Sequence, residues 1–228
     1  IYDDSKTLLL CDDGMLESRK NGTKDIYVFA FGRNYIDWLN DFYKITGKPP
    51  LVPRYVLGNW WSRYRAYTQK EYEDLMTEFF SRDIPLTIAT VDMDWHWVDL
   101  KKKFNKKYKS SNILNSGWTG YSWNTELFPD YKAFLQKLHD MGLKVTLNLH
   151  PADGVRAHEE DYLPMAKELG VDYENEDAIP FDASNRKFLE AYFKYLHHPN
   201  EEQGVDFWWL DWQQGGRGSA KGIDTLWL

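Results

Sequence analysis

Cysteine is almost absent. The 228-residue chain has one, Cys11, so no internal disulfide can staple it and its stability has to come from a packed core. That usage fits a reducing compartment, and no signal peptide is visible, so the cytoplasm is the expected location. Long apolar runs are missing too. None approaches the ~20 residues that span a bilayer, so no membrane partner is expected. Positive charge is in deficit: 28 Lys and Arg against 35 Asp and Glu leave a net charge of −7. Nucleic acid, which selects basic faces, is therefore not an expected partner. The one basic run, Lys101 to Lys109, reads as a solvated loop. The chain starts at IYDDSKTLLL rather than at Met and is expected to be a piece of a longer protein.

Tryptophan is abundant instead, with 11 residues beside 15 Tyr and 12 Phe. Aromatic side chains fill cores. Here, however, they gather as Trp60-Trp61, Trp95 with Trp97, and Trp208-Trp209 with Trp212, each group at the C-terminal end of a short apolar run. Core filling alone does not require that placement.

Residues 1–33 read as β-structure, with turn signals at Asp13-Gly14 and Asn21-Gly22 and a strand-like DIYVFAFG. A helix over Tyr35 to Thr46 is stopped by Gly47, and KPPLVP is a rigid connector, giving a segment 34–55. From residue 56 onward, strands and helices alternate. YVLGNWW is a short run. Thr68 and Glu71 form a capping box for a helix with Tyr72, Leu75, Met76, Phe79 and Phe80 on one face. PLTIATVDMDW is a strand buried on both sides, followed by a long connection from His96 to about Phe128. The helix of PDYKAFLQKLHDMG leads into LKVTLNLHP, a third buried strand. Helices over Asp161 to Leu169 and Asn185 to Leu196, the second with Ser184 as its N-cap, precede a fourth strand, GVDFWWLD.

This alternation is a parallel α/β unit. A barrel and an open doubly wound sheet compete. No Gly-rich phosphate turn follows the first strand, as a dinucleotide-binding sheet would require, and the long aromatic loops all follow strands. The expected fold is thus the N-terminal half of a (β/α)8 TIM barrel over 56–228.

The strand ends hold the chemistry. Strand one ends in Trp60, Trp61 and Arg63; strand two in Asp92, Asp94, Trp95 and His96; strand three in His150 and Asp153; strand four in Trp209 and Asp211. On a parallel barrel these ends share one rim. Indole faces and carboxylates suit a sugar, whose C–H faces pack on rings and whose hydroxyls donate to charged oxygens. An acid at a strand tip walled by indoles can act as a nucleophile, although capping a helix or pairing with an arginine would explain it equally well.

GVDFWWLDWQQG resembles the nucleophile strand of glycoside hydrolase family 31, the α-glucosidase and α-xylosidase family. VPRYVLGNWWSRYRAYTQKEYEDL, IPLTIATVDMDWH and FPDYKAFLQKLHDMGLKVTLNLHP resemble its first strand and helix, its second strand, and the helix and third strand that follow. DIYVFAFGRNYIDWLNDFYKITGKPPLVP resembles the end of the β-sandwich that precedes the barrel, which assigns 1–33 to that domain. The resemblance implies a retaining, exo-acting α-glycoside hydrolase with Asp211 as nucleophile. It also implies Asp92 and Asp94 as the grip on the non-reducing sugar, with Asp92 favoured, and Trp209, His150, Trp60 and Trp95 as lining residues. It implies no metal or organic cofactor. The acid/base would lie beyond the chain, and Asp224 is not expected to replace it. The partners are then a carbohydrate substrate and the missing remainder of the barrel, with an oligomer left open, and the chain alone is expected to be inactive. Trp212-Gln213-Gln214 stand where the family has Met-Asn-Glu, which leaves an α-galactose or α-N-acetylgalactosamine substrate open.

Two other classes compete. Asp92, Asp94, His96 and His150 could hold a metal in a barrel hydrolase. A non-catalytic carbohydrate-binding relative is the second, and the retained Asp211 argues against it. His158, His197 and His198 are expected at the surface, and Trp38 and Trp118 in packing.

Overall fold

The protein is described from a computed structural model covering residues 2–3, 8–18, 25–104, 108, 117–183 and 185–211. Two small antiparallel ribbons come first. Strand β1 (Tyr2–Asp3) pairs with β4 (Asp25–Ile26), and β2 (Leu8–Leu10) pairs with β3 (Leu16–Ser18). The Asp13-Gly14 signal makes a turn between β2 and β3, with Gly14 at φ 80°. The Asn21-Gly22 signal lies outside the described residues. DIYVFAFG is strand only at Asp25–Ile26. Its ring at Phe29 turns instead onto Trp38 and Phe42 of helix α1 (Tyr35–Thr46), which ends at Gly47 as expected.

Four parallel strands follow in chain order across one sheet: β5 (Trp60–Trp61), β6 (Ile88–Val91), β7 (Lys144–Leu149) and β8 (Phe207–Leu210). YVLGNWW contributes less strand than its apolar run suggests, because Arg54–Leu57 coil into a 3-10 turn first. Helices α2 (Gln69–Ser81), α4 (Tyr131–Asp140), α5 (Tyr162–Leu169) and α6 (Arg186–Tyr192) connect the strands, with a short α3 (Leu100–Phe104) in the long connection after β6. The start of the expected basic loop is therefore helical, and Lys103 there pairs with Glu126 at 2.6 Å.

Local chemistry accounts for the helix ends. Thr68 and Glu71 close both halves of the capping box on α2, and Asp130 caps α4 by accepting from the Ala133 N–H. Asn185 caps α6 by accepting from the Phe188 N–H; Ser184, the expected cap, lies outside the described residues. The last helix also runs past Leu196, through a π turn at Phe193–His197 into α7 (His198–Glu202). That wider turn carries His197 inward, with its ring 4.5 Å from that of Trp208. His197 is buried, not exposed, and burial pushes its pKa down to about 3.

The sheet has two faces, set by the period of two along each strand. Ala89, Val91, Val145, Leu147 and Leu149 pack into the main core with Met76, Phe134, Leu135 and Leu138 from the helices. Trp61, Trp208 and Leu210 lean on the same core. The alternate positions Thr90, Thr146, Asn148, Phe207 and Trp209 therefore share the opposite, inner face, given the register Thr90↔Thr146, Thr146↔Phe207 and Asn148↔Trp209.

Asp206, just before β8, locks that register from the N-terminal end. It accepts from the Val145 N–H at 2.8 Å, from Lys144 Nζ at 2.7 Å and from His139 Nε2 at 2.8 Å. Burial alone would raise its pKa, but these donors outweigh it and hold the carboxyl below its ordinary value. A depressed folded pKa stabilises the protein above the unfolded carboxylate pKa of about 3.9, and that stability is lost as pH falls through the folded value. Asp206→Asn is expected to lose ~1–3 kcal/mol in urea unfolding at neutral pH, and the gap to the wild type should close as the pH drops below about 4.

Candidate active site

Three strand ends meet at the C-terminal edge of the inner face. Asp211 follows β8, and its backbone N–H continues the ladder to the Leu149 carbonyl at 2.9 Å. Two donors from β7 reach the Asp211 carboxylate. Asn148 Nδ2 and His150 Nε2 both lie 3.3 Å from its Oδ2. Positions 148 and 150 point the same way because they are two apart on one strand. Asn148 is not among the residues that stand out at the strand ends of the sequence. Its signal was the alternation within VTLNLH, where polar Thr146, Asn148 and His150 interleave with apolar neighbours on a strand read as wholly buried.

His150 is 3% exposed. Burial lowers its pKa, and the negative charges of Asp211 and Asp92 only partly restore it. A neutral imidazole follows, able to donate Nε2–H to Asp211 without adding a full charge. Asp92 follows β6 and accepts from the Met93 N–H at 2.7 Å. Burial raises its pKa, the His150 ring opposes that rise, and the Asp211 charge reinforces it. Asp92 and His150 thus sense each other's charges and that of Asp211. Asp94, half-buried in the following 3-10 turn, is raised by burial and then by Asp92. Of the two acids, Asp92 is the one coupled to Asp211.

Trp209 sits on the same inner face, 36% exposed, in register with Asn148. Two other expected lining residues lie elsewhere. Trp95 has no exposed surface, and its indole N–H donates to the Asn148 carbonyl at 2.7 Å. The 3-10 turn after Asp92 swings that ring back over the sheet, so it supports β7 from within the core. Trp60 is partly exposed but pairs in register with Ile88, four positions before Asp92. Its indole N–H donates to the Val56 carbonyl at 3.0 Å and its ring meets Phe207 edge-on at 5.4 Å. It lies towards the N-terminal end of the strands because β5 ends with the tryptophan pair, and the chain runs on outside any strand through Ser62 and Arg63, both exposed.

The rim loops are fastened by a buried acid. Glu159 is 5% exposed and accepts from the Tyr121 N–H at 3.1 Å and the Ser122 hydroxyl at 2.6 Å, with His158 Nε2 3.0 Å away. His158 is likewise buried rather than exposed, against the Phe104 ring at 5.3 Å. His198 is exposed, as expected. Asp153 pairs with Arg156 at 2.9 Å. The candidate metal quartet is not assembled: His96 is fully buried with Nδ1 3.3 Å from the Trp97 carbonyl, and no group of three metal-ligating side chains occurs among the described residues. Nor, among those residues, is any helix long and apolar enough to cross a membrane. Trp212, Gln213, Gln214 and Asp224 lie outside the described residues.

Residues 49–221 match the family model for the glycosyl hydrolases family 31 TIM-barrel domain. An α-xylosidase of Saccharolobus solfataricus is 26% identical over 190 residues, covering 83% of this chain and 23% of its own length. Alpha-glucosidase 2 of Bacillus thermoamyloliquefaciens is 27% identical over 156 residues, covering 68% of this chain and 17% of its own. The chain thus spans a quarter or less of the length of these curated relatives. Among solved structures, a Flavobacterium johnsoniae family 31 dextranase complexed with glucose aligns with TM-score 0.60 at 20% identity, over 83% of this chain and 22% of its own. A family 31 α-xylosidase from a soil metagenome, complexed with xylose, aligns with TM-score 0.54 at 22% identity, over 75% of this chain and 24% of its own. At those identities the structures speak for the fold, and the sheet β5 to β8 is the first half of a (β/α)8 barrel.

The electrostatics of the rim can be read directly. In an NMR titration His150 is expected to titrate below the ordinary histidine value of 6.5. Asp211→Asn removes a charge that favours the imidazolium, so the midpoint should fall further in that variant. An upward shift would show that the two side chains do not interact as placed.

Proposed function

The chain belongs to glycosyl hydrolase family 31, and from that premise we propose that the protein it comes from is a retaining, exo-acting α-glycoside hydrolase working on oligosaccharides or glycoconjugates. The observation that carries this reading is the Asp211 carboxylate, set at a strand end on the inner face and met there by Asn148 and His150. In the proposed reaction Asp211 attacks the anomeric carbon while a second carboxylic acid, ~5–5.5 Å away, protonates the departing oxygen. A glycosyl ester on Asp211 results. Water, deprotonated by the same second carboxylate, then attacks the anomeric carbon and releases the sugar with its configuration retained.

In this reading Asn148 and His150 aim the nucleophile, through N–H donors that bring no full positive charge. Asp92 accepts hydroxyl hydrogen bonds from the non-reducing sugar, with Asp94 beside it, and Trp209 offers an apolar wall. The acid/base belongs to a later barrel strand outside this chain, so the chain by itself is proposed to be inactive. Segment 1–33 is proposed to end a preceding β-sandwich, and 34–55 to connect it to the barrel. The relatives' names point first to α-xylosides and α-glucosides. Trp212-Gln213-Gln214 after the nucleophile keep α-galactosides and α-N-acetylgalactosaminides as the alternative.

The test is the full-length protein against nitrophenyl α-glycosides of xylose, glucose, galactose and N-acetylgalactosamine. NMR should identify the first-formed anomer as the α-sugar. Asp211→Ala is expected to lower kcat on the order of 10⁴-fold or more. Turnover at the wild-type rate in that variant would remove Asp211 from the mechanism.

A further inference from the structure

The rim loop 117–123 is held from several sides. Gly117 passes so close to the chain that a Cβ there would lie 1.7 Å from the Val98 carbonyl oxygen, and one on Gly120 would lie 2.2 Å from His96 Nδ1. The Thr119 hydroxyl donates to the His150 carbonyl and accepts from the Asp153 N–H. Glu159 takes the Tyr121 N–H and the Ser122 hydroxyl. Within this fastened loop, Trp118 stays 44% exposed, and its ring meets the His150 imidazole edge-on at 5.2 Å. His150 in turn touches Asp211.

An exposed tryptophan alone means little, since single apolar side chains are common on surfaces. Here position and rigidity add to exposure. The loop backbone is fixed by glycine contacts and side-chain bonds, so the indole can be met by a ligand with little further ordering cost. Its ring lies one residue away, in contact terms, from the carboxylate proposed to attack the sugar. A broad apolar ring there suits the C–H face of a pyranose better than any charged group would.

We propose that Trp118 is a substrate-contacting, specificity-determining residue, whose indole bears on the apolar face of a sugar ring seated beside Asp211. The inference rests on the reading of Asp211 as nucleophile. It adds a wall from the loop after β6 to the one that Trp209 supplies from β8.

The experiment uses the full-length enzyme and the nitrophenyl α-glycoside it turns over fastest. Trp118→Ala is expected to raise KM about tenfold while kcat stays within about threefold, and Trp118→Phe should recover much of the loss. Calorimetric binding of the same glycoside to Asp211→Ala should weaken about tenfold when Trp118→Ala is added. Thermal midpoints of the Phe variant confirm folding. Unchanged KM and binding would overturn the proposal. So would a fall in kcat at constant KM with a shifted His150 titration, because Trp118 would then only brace the imidazole. A wild-type rate in Asp211→Ala would instead overturn the nucleophile reading, whereas an inactive Asp211→Ala with an unaffected Trp118→Ala would overturn this inference alone.

Discussion

A half-buried carboxylate at a strand tip is costly unless donors meet it. Asp211 is met by Asn148 and His150, both on the neighbouring strand and both 3.3 Å from the same oxygen. The pairing of β7 with β8 makes that meeting possible. With Asn148 opposite Trp209 and Leu149 opposite Leu210, Asp211 falls beside the inward-facing Asn148 and His150. A slip of one residue would turn both donors, or the acid, toward the helices. The register of two adjacent strands is therefore the constraint on which the site depends.

Several features along the two strands and behind the sheet protect that register. Asp206 ties the start of β8 to Val145, Lys144 and His139, and the Asp211 N–H ties its end to Leu149. Trp95, sealed in the core, donates to the Asn148 carbonyl and so holds the backbone of the residue whose side chain reaches Asp211. Behind the sheet, Trp208 packs against His197 on the π turn. Stability and site geometry are thus not separate accounts in this protein: the same strand positions alternate between core and chemistry.

Much of this was legible in the sequence. Continuous β-branched and aromatic runs marked β6, β7 and β8, Thr68 with Glu71 marked the start of α2, and Gly47 marked the end of α1. The acids at strand ends were visible as Asp92 and Asp211 because polar residues closing apolar runs stand out. The errors share one cause. Trp60 and Trp95 end apolar runs, which points them to the rim, yet one pairs with Ile88 and the other folds back into the core. His158 and His197 were expected in water because histidine is polar, yet a partner acid and a π turn bury them. Run ends and polarity are local signals, whereas burial is decided by what arrives from elsewhere in the chain.

The sequence by itself determined the alternation of strands and helices, the caps that start the helices, and the family whose barrel this chain half builds, because hydrophobic period, turn chemistry and motif spacing are written within a few neighbouring residues. Only the tertiary structure decided which of two nearby acids couples to Asp211, that Asn148 is one of its donors, and which tryptophans face the inner side. Those outcomes depend on strand register and loop packing between residues far apart in the chain, such as Asn148 and Asp211, 63 positions apart, and no local pattern carries that information.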